Sequence, residues 1–290
     1  KDKNVLSFFQ KRFLRIYPGL IVVVLLTALV LGPLMTELPL WEYFKKPETY
    51  NYLVNNIVFI RYQDFLPGVF EHNTVPNYIN GSLWTLKYEL LCYFVTAILG
   101  YFGFLKLRIL GVFFIVSSLT NILIQGHFID NLADWNGGLP FIVKSFLELL
   151  PYYLAGSLIY LGRDRLPYRS SFALGSLFLI FLSLPIPGLF KPMFSVVGAY
   201  LVFYAAYFPK INPLNLSKVG DLSYGVYIYG WIIQQIVVQW FHPHINWFTN
   251  CLISLPFILG ASFLSWHLVE KRAMGLKLKI SPMFLKKKPI

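Results

Sequence analysis

Hydrophobic residues in this chain gather in long unbroken runs; they do not alternate and do not form one-sided stripes. A helix needs about 18–20 such residues to cross the hydrocarbon core of a bilayer. The runs that approach or reach this length are Leu14–Leu34, Leu83–Tyr101, Leu107–Ile124, Ile142–Leu161, Phe172–Leu189, Met193–Phe208, Tyr224–Phe241 and Trp247–Val269. Pro185, Pro187 and Pro192 interrupt the fifth and sixth runs and mark a tight outer hairpin between them. Tyr52–Ile60 is apolar but too short to cross and reads as an interfacial or re-entrant segment. The pattern predicts an all-α integral membrane protein, a polytopic bundle of eight spans. Between the first two runs lies Thr36–Ser82, rich in Pro, Asn, Tyr and Trp, long enough to cover or line an outward-facing site.

Composition agrees with the pattern. The 290 residues are 57% hydrophobic and only 13% charged, with a mean hydropathy of +0.59, whereas soluble domains carry about 25% charged residues. A net charge of +12 invites a nucleic-acid reading, which the distribution excludes. The basic residues punctuate the gaps between apolar runs and form no patch on a soluble domain. Most fall on one side of the predicted bundle: Lys11, Arg12 and Arg15; Lys106 and Arg108; Arg163, Arg165 and Arg169; Lys210 and Lys218; and the tail Lys271–Ile290. The positive-inside rule puts that side, with both termini, in the cytosol. The tail, residues 271–290, is a polybasic segment attracted to anionic lipids. Cys92 and Cys251 lie inside apolar runs and read as buried small hydrophobes. No Cys/His cluster has metal-ligand spacing. One membrane domain over residues 1–290 is expected. The chain opens on Lys1-Asp2-Lys3 and meets its first span at Leu14, so further sequence is expected ahead of it.

Candidate chemistry begins with Arg12 and Arg15, which share a helix face at the start of the first span. Each offers a rigid fork of donors suited to phosphate, and each reads equally well as a topology anchor. Glu89 is the best candidate among acids inside a run, seven residues in and about 10 Å below the outer end. Thr85, Glu89, Tyr93 and Thr96 recur at helical spacing as one polar stripe. The carboxylate serves either catalysis, directly or in support, or a structural ion pair. A second stripe, Tyr224, Tyr227, Trp231, Gln234 and Gln235, suits a polar ligand such as a sugar, with interface belts and helix–helix hydrogen bonds as the alternative. His72, His127, His242, His244 and His267 lie in loops or near span ends and read as solvated or interfacial. Asn80-Gly81-Ser82 matches a glycosylation sequon but reads better as the turn into the second span.

Four segments together resemble the acyltransferase-3 family of integral membrane O-acyltransferases, which modify bacterial surface glycans. They are Phe8-Phe-Gln-Lys-Arg-Phe-Leu-Arg-Ile-Tyr-Pro18, Gly81-Ser-Leu-Trp-Thr-Leu-Lys-Tyr-Glu89 with Tyr93 beyond it, Asp221-Leu-Ser-Tyr-Gly-Val-Tyr-Ile-Tyr229, and Val269-Glu-Lys271. The resemblance implies a bundle of about ten spans in the bacterial inner membrane that moves an acyl group, commonly acetyl from acetyl-CoA, to a glycan hydroxyl outside. Arg12 and Arg15 match the family's Arg-x-x-Arg, implicated in holding acyl-CoA; Trp84 and Glu89 match its Trp and Glu near the outer side. It further implies two spans ahead of Arg12, the first with an essential histidine, which this chain lacks. A second family histidine, after Ser-Tyr-x-x-Tyr, is replaced by Gly230. A base would take the sugar hydroxyl proton, with Glu89 as its orienting acid, and the thioester oxyanion would need a donor. No permanently bound cofactor is expected. Partners are acyl-CoA, a glycan or lipid-linked saccharide, and membrane lipids. A non-catalytic flippase of lipid-linked glycans, an acyltransferase acting on lipids and an inactive truncated homologue are the competing readings.

Overall fold

The computed structural model describes residues 5–59, 61–125, 138–186, 188–207, 220–241 and 243–276. Its helices are, in chain order, α1 (Val5–Met35), α2 (Leu40–Lys45), α3 (Pro47–Val58), α4 (Leu83–Tyr101), α5 (Leu107–Gln125), α6 (Gly138–Gly162), α7 (Ser170–Ser183), α8 (190–207), α9 (Ser223–Phe241) and α10 (Trp247–Leu276). Each apolar run of the sequence contains helix among the described residues. Among the described residues five of these helices are long and apolar enough to cross a membrane: α1, α4, α5, α6 from Phe141, and α10. The chain is a polytopic helical membrane protein. Helix α7 stops at Ser183, short of the expected Leu189, where Pro185 denies the backbone a donor. Helix α8 starts earlier than expected, at Phe190. Phe208, Pro187 and Ile60 lie outside the described residues, as do His127, His242 and residues 277–290 of the tail.

Exposure along these helices runs opposite to that of a water-soluble protein. On α7, Leu174, Phe178 and Phe181 face outward, while Ser176 and Ser183 are buried. On α10, Phe257 and Leu264 are exposed and Ser254, Ser262 and Ser265 buried. The buried hydroxyls turn back onto their own helices, Ser183 Oγ donating to the Ile180 carbonyl at 2.6 Å and Ser262 Oγ to that of Ile258 at 2.6 Å. Lipid is the solvent that such a surface suits, because it leaves no polar group to hydrate. Cys92 is buried as expected; Cys251 is exposed, on the outward face of α10, and both thiols are free.

The helices pack as two compact units, Lys1–Glu89 with Asn215–Ile290, and Leu90–Leu214. In the first, α9 packs on both α1 and α10. Its core joins Leu20, Val23 and Ala28 of α1 to Ile228, Ile232 and Ile236 of α9. Tyr43, Tyr52, Leu66, Val69, Phe70 and Ile79 also belong to it. Those last six come from Thr36–Ser82, which thus contributes to the core while its Trp41, Tyr50 and Phe65 remain exposed. Helix α3 within it has 12 residues, about 18 Å at 1.5 Å per residue, too short to cross. A π-turn over Thr27–Leu31 in α1 disturbs the helical ladder, and the buried Tyr43 donates to the Ala28 carbonyl there at 2.8 Å. In the second unit α5 pairs with α6, and α7 and α8 pack together.

Candidate active site

The residues just ahead of α9 and the basic end of α1 meet through an ion pair. Arg15 Nη2 donates to Asp221 Oδ2 at 2.7 Å. The other carboxylate oxygen, Oδ1, accepts from Ser223 Oγ at 2.5 Å and from Ser223 N at 3.3 Å. An acid suits the start of a helix, where unpaired N–H groups point outward. Burial works against the Asp221 carboxyl ionising, but the Ser223 hydrogen bonds and the Arg15 charge outweigh it and hold its pKa below the ordinary value. The Arg15 side chain remains 42% exposed, so part of its donor fork faces outward. Arg12 lies one turn earlier with its guanidinium 5.5 Å from the Phe8 ring centre.

Next to this pair the Tyr224 ring lies against α1, where a Cβ on Gly19 would meet Tyr224 Cε1 at 2.9 Å. The Tyr224 hydroxyl donates to the Ile16 carbonyl at 2.8 Å. Two carboxylates stand within electrostatic reach of that phenol, Glu270 and Glu89. Glu270, 3% exposed, closes a π-turn over Trp266–Glu270 in α10 and accepts from Ser265 Oγ at 2.7 Å; it also feels the charges of Asp221 and Arg15. Glu89 acts on Tyr227 as well. Arg15, Asp221, Glu270 and Glu89 therefore share one neighbourhood around Tyr224. The stretch ahead of Glu89 descends along α9, which brings Glu89 within electrostatic reach of Tyr224 and Tyr227.

That descent explains the polar stripe on α9. Gln235 Nε2 donates to the carbonyls of Val75 (2.9 Å) and Tyr78 (2.7 Å), and Trp231 Nε1 to Tyr78 (3.1 Å). Tyr227 donates to Ser82 O at 2.6 Å and shares a hydrogen bond with Thr85. In return, Asn80 Nδ2 donates to the Ile228 carbonyl at 2.8 Å and Asn73 Nδ2 to that of Gln235 at 2.9 Å. Irregular backbone packed among apolar helices needs such partners. Asn80 Oδ1 accepts from Ser82 N at 3.1 Å, the Asx turn expected of the sequon, and Asn80 is buried. Gly81 is required there, since a Cβ would meet the Trp231 ring at 2.8 Å. Gln234 is half-buried and has no hydrogen bond to a described residue.

The stripe predicted on α4 divides. Thr85 and Glu89 turn toward α9, while in the second unit Tyr93 packs edge-on to Tyr153 at 6.3 Å and Thr96 hydrogen-bonds the Tyr153 hydroxyl at 2.8 Å. Trp84 stands edge-on to Tyr88 at 5.7 Å. Among the described histidines, His72 lies 3.4 Å from Glu37 on the surface, His267 Nδ1 lies 3.0 Å from the Phe263 carbonyl, and His244 is exposed. Asp221 and Glu270 were not among the expected site residues, although both lie in the recognised motifs. Their signal was an acid at a helix start facing a distant arginine, and an acid at the inner end of an apolar run.

The acyltransferase domain model of the acyltransferase-3 family matches residues 1–269. The chain is 28% identical over 284 residues to a protein of Shigella phage Sf6 named O-acetyl transferase, covering 94% of this chain and 78% of that one. No solved structure matches. The chain belongs to the acyltransferase-3 family and is an acyltransferase.

Proposed function

We propose that this chain is a single membrane domain that takes an acetyl group from acetyl-CoA in the cytosol and delivers it to a hydroxyl of a glycan outside, on a surface polysaccharide or a lipid-linked saccharide. In this reading all eight apolar helices cross a bacterial inner membrane, both termini are cytosolic, and residues 271–290 form a basic cytosolic tail. The observation that carries the proposal is the Arg15–Asp221 pair: a guanidinium fixed at 2.7 Å by one carboxylate yet 42% exposed, one turn from Arg12. Arginine forks match the phosphates of CoA. Acetyl-CoA is a substrate here; no resident cofactor is invoked.

The sugar hydroxyl oxygen attacks the thioester carbonyl, its proton passes to a base, and CoA leaves as the thiolate. The family resemblance assigns that base to a histidine ahead of Arg12, with Glu89 as the acid that orients it. Trp84 and Gln234 are assigned to the acceptor. Tyr224, Tyr227 and Trp231 shape its wall, since their donors are directed at backbone carbonyls.

The test uses the protein as its gene encodes it. Replacing both Arg12 and Arg15 by alanine removes two charge-assisted contacts of roughly 1.5–3 kcal/mol each, raising the KM for acetyl-CoA by at least ~10-fold while the protein remains in the membrane. A flippase of lipid-linked glycans would export its cargo without acetyl-CoA and tolerate the double substitution; that result overturns the proposal.

A further inference from the structure

The second unit carries a groove that the acyl-transfer reading leaves unused. It lies along α6 and α8, has a volume of about 460 Å³, and is walled by apolar and aromatic side chains including Tyr152, Tyr160, Phe203 and Tyr207. Gly156 forms part of its floor, and a Cβ there would meet nothing within 4 Å. From Tyr152 to Arg163 along α6 is roughly 16 Å at 1.5 Å per residue, about half of a ~30 Å hydrocarbon core. A chain in this groove would thus occupy one leaflet.

The mouth is basic. Arg163 follows the last residue of α6, its guanidinium 4.6 Å over the Tyr160 ring and its Nη1 donating to the Tyr160 carbonyl at 3.0 Å. Both contacts hold the charge at the rim. Arg165 follows on the same exposed turn and Arg169 stands exposed just ahead of α7; the acid among them, Asp164, lies 3.8 Å from Arg163 Nε. Around the mouth Tyr168 packs on Phe203 at 5.1 Å and on Tyr207 at 6.2 Å, the kind of aromatic belt that marks a membrane–water interface. An apolar slot one leaflet deep under a cationic rim matches one ligand chemistry: an acyl chain with an anionic headgroup at its end.

We propose that this groove is a binding site for an anionic phospholipid of the leaflet facing the basic turn, its tail along α6 and its phosphate at Arg163.

The test is native mass spectrometry of the intact protein released from nanodiscs of phosphatidylcholine with an equal share of phosphatidylglycerol. Phosphatidylglycerol should remain bound in preference to phosphatidylcholine. Arg163→Ala should lower that retention about tenfold, the value of one charge-assisted contact. Gly156→Phe should lower it similarly by filling the slot, whereas Gly156→Ala should not. The substitution at Arg163 lies in an exposed turn, so it keeps the question answerable if Gly156→Phe fails to fold. Equal retention of both lipids overturns the proposal, as does unchanged retention in Arg163→Ala. Displacement of phosphatidylglycerol by an added polyprenyl phosphate that binds more tightly also overturns it, by giving the groove to the carrier of a lipid-linked saccharide.

Discussion

Replacing Gln235 by leucine separates the two roles open to the polar face of α9. The side chain is 5% exposed, and its amide donates to the carbonyls of Val75 and Tyr78 at 2.9 and 2.7 Å. Leucine keeps most of the volume but none of the donors. Tyr78 O then retains only the 3.1 Å bond from Trp231, and Val75 O loses its side-chain partner. A buried acceptor left unpaired costs about 1–3 kcal/mol. Two acceptors, one still partnered and the other part-buried, give about 2–3 kcal/mol. For a chain of this size that is a fall of about 3–5 °C in Tm. Thermal unfolding in detergent, followed by loss of the monodisperse peak on size exclusion, measures it. Trp231→Phe should cost less, because Tyr78 O keeps its shorter bond from Gln235. If Gln235→Leu abolished acyl transfer while leaving Tm unchanged, the stripe would be a ligand surface and the scaffolding argument would be wrong.

Glu89→Gln should lower kcat by about 100-fold, in the range for acid–base assistance, with Tm and membrane insertion unchanged; normal turnover would reduce Glu89 to a structural role. Asp221→Asn should act on the donor side alone. The pair is partly exposed and worth at most ~1 kcal/mol, so the KM for acetyl-CoA should rise up to about fivefold with kcat preserved; a fall in kcat with KM unchanged would separate Asp221 from the donor grip. Because the Asp221 pKa is lowered in the folded protein, its contribution to stability is complete above the ordinary carboxylate value of about 3.9 and is lost as pH falls through the lowered one. The Tm difference between wild type and Asp221→Asn should therefore be constant from pH 5 to 8 and vanish only in stronger acid. A difference that fades near pH 6 would contradict this assignment.

Much of this protein was written locally in its sequence. A run of apolar residues without charges has few options besides a helix in lipid, since every backbone group must be satisfied within the segment. For that reason the runs were legible as helices, while their ends were not: α1 starts at Val5 and α10 runs on to Leu276, beyond the apolar stretches. The placement of Arg12 and Arg15 on one face at the start of the first helix was legible for a similar reason, because residues three apart share a helix face.

What the sequence left undecided depends on partners distant along the chain. The stripe Tyr224, Tyr227, Trp231 and Gln235 has the same spacing whether it faces a sugar or a backbone, and only packing shows that it faces the carbonyls of Val75, Tyr78 and Ser82. The segment Thr36–Ser82 looked like a loop because its Pro and Asn residues break helices, yet its Tyr43, Tyr52 and Phe70 build the core. The surroundings of Glu89 were undecided for the same reason: hydrogen bonds from α9 hold the irregular backbone ahead of it and so set which side chains it meets. Local periodicity determined which elements form; where those elements lie, and so which charges meet around Tyr224, was decided by long-range hydrogen bonds whose partners can be more than 200 residues apart in sequence, as Arg15 and Asp221 are.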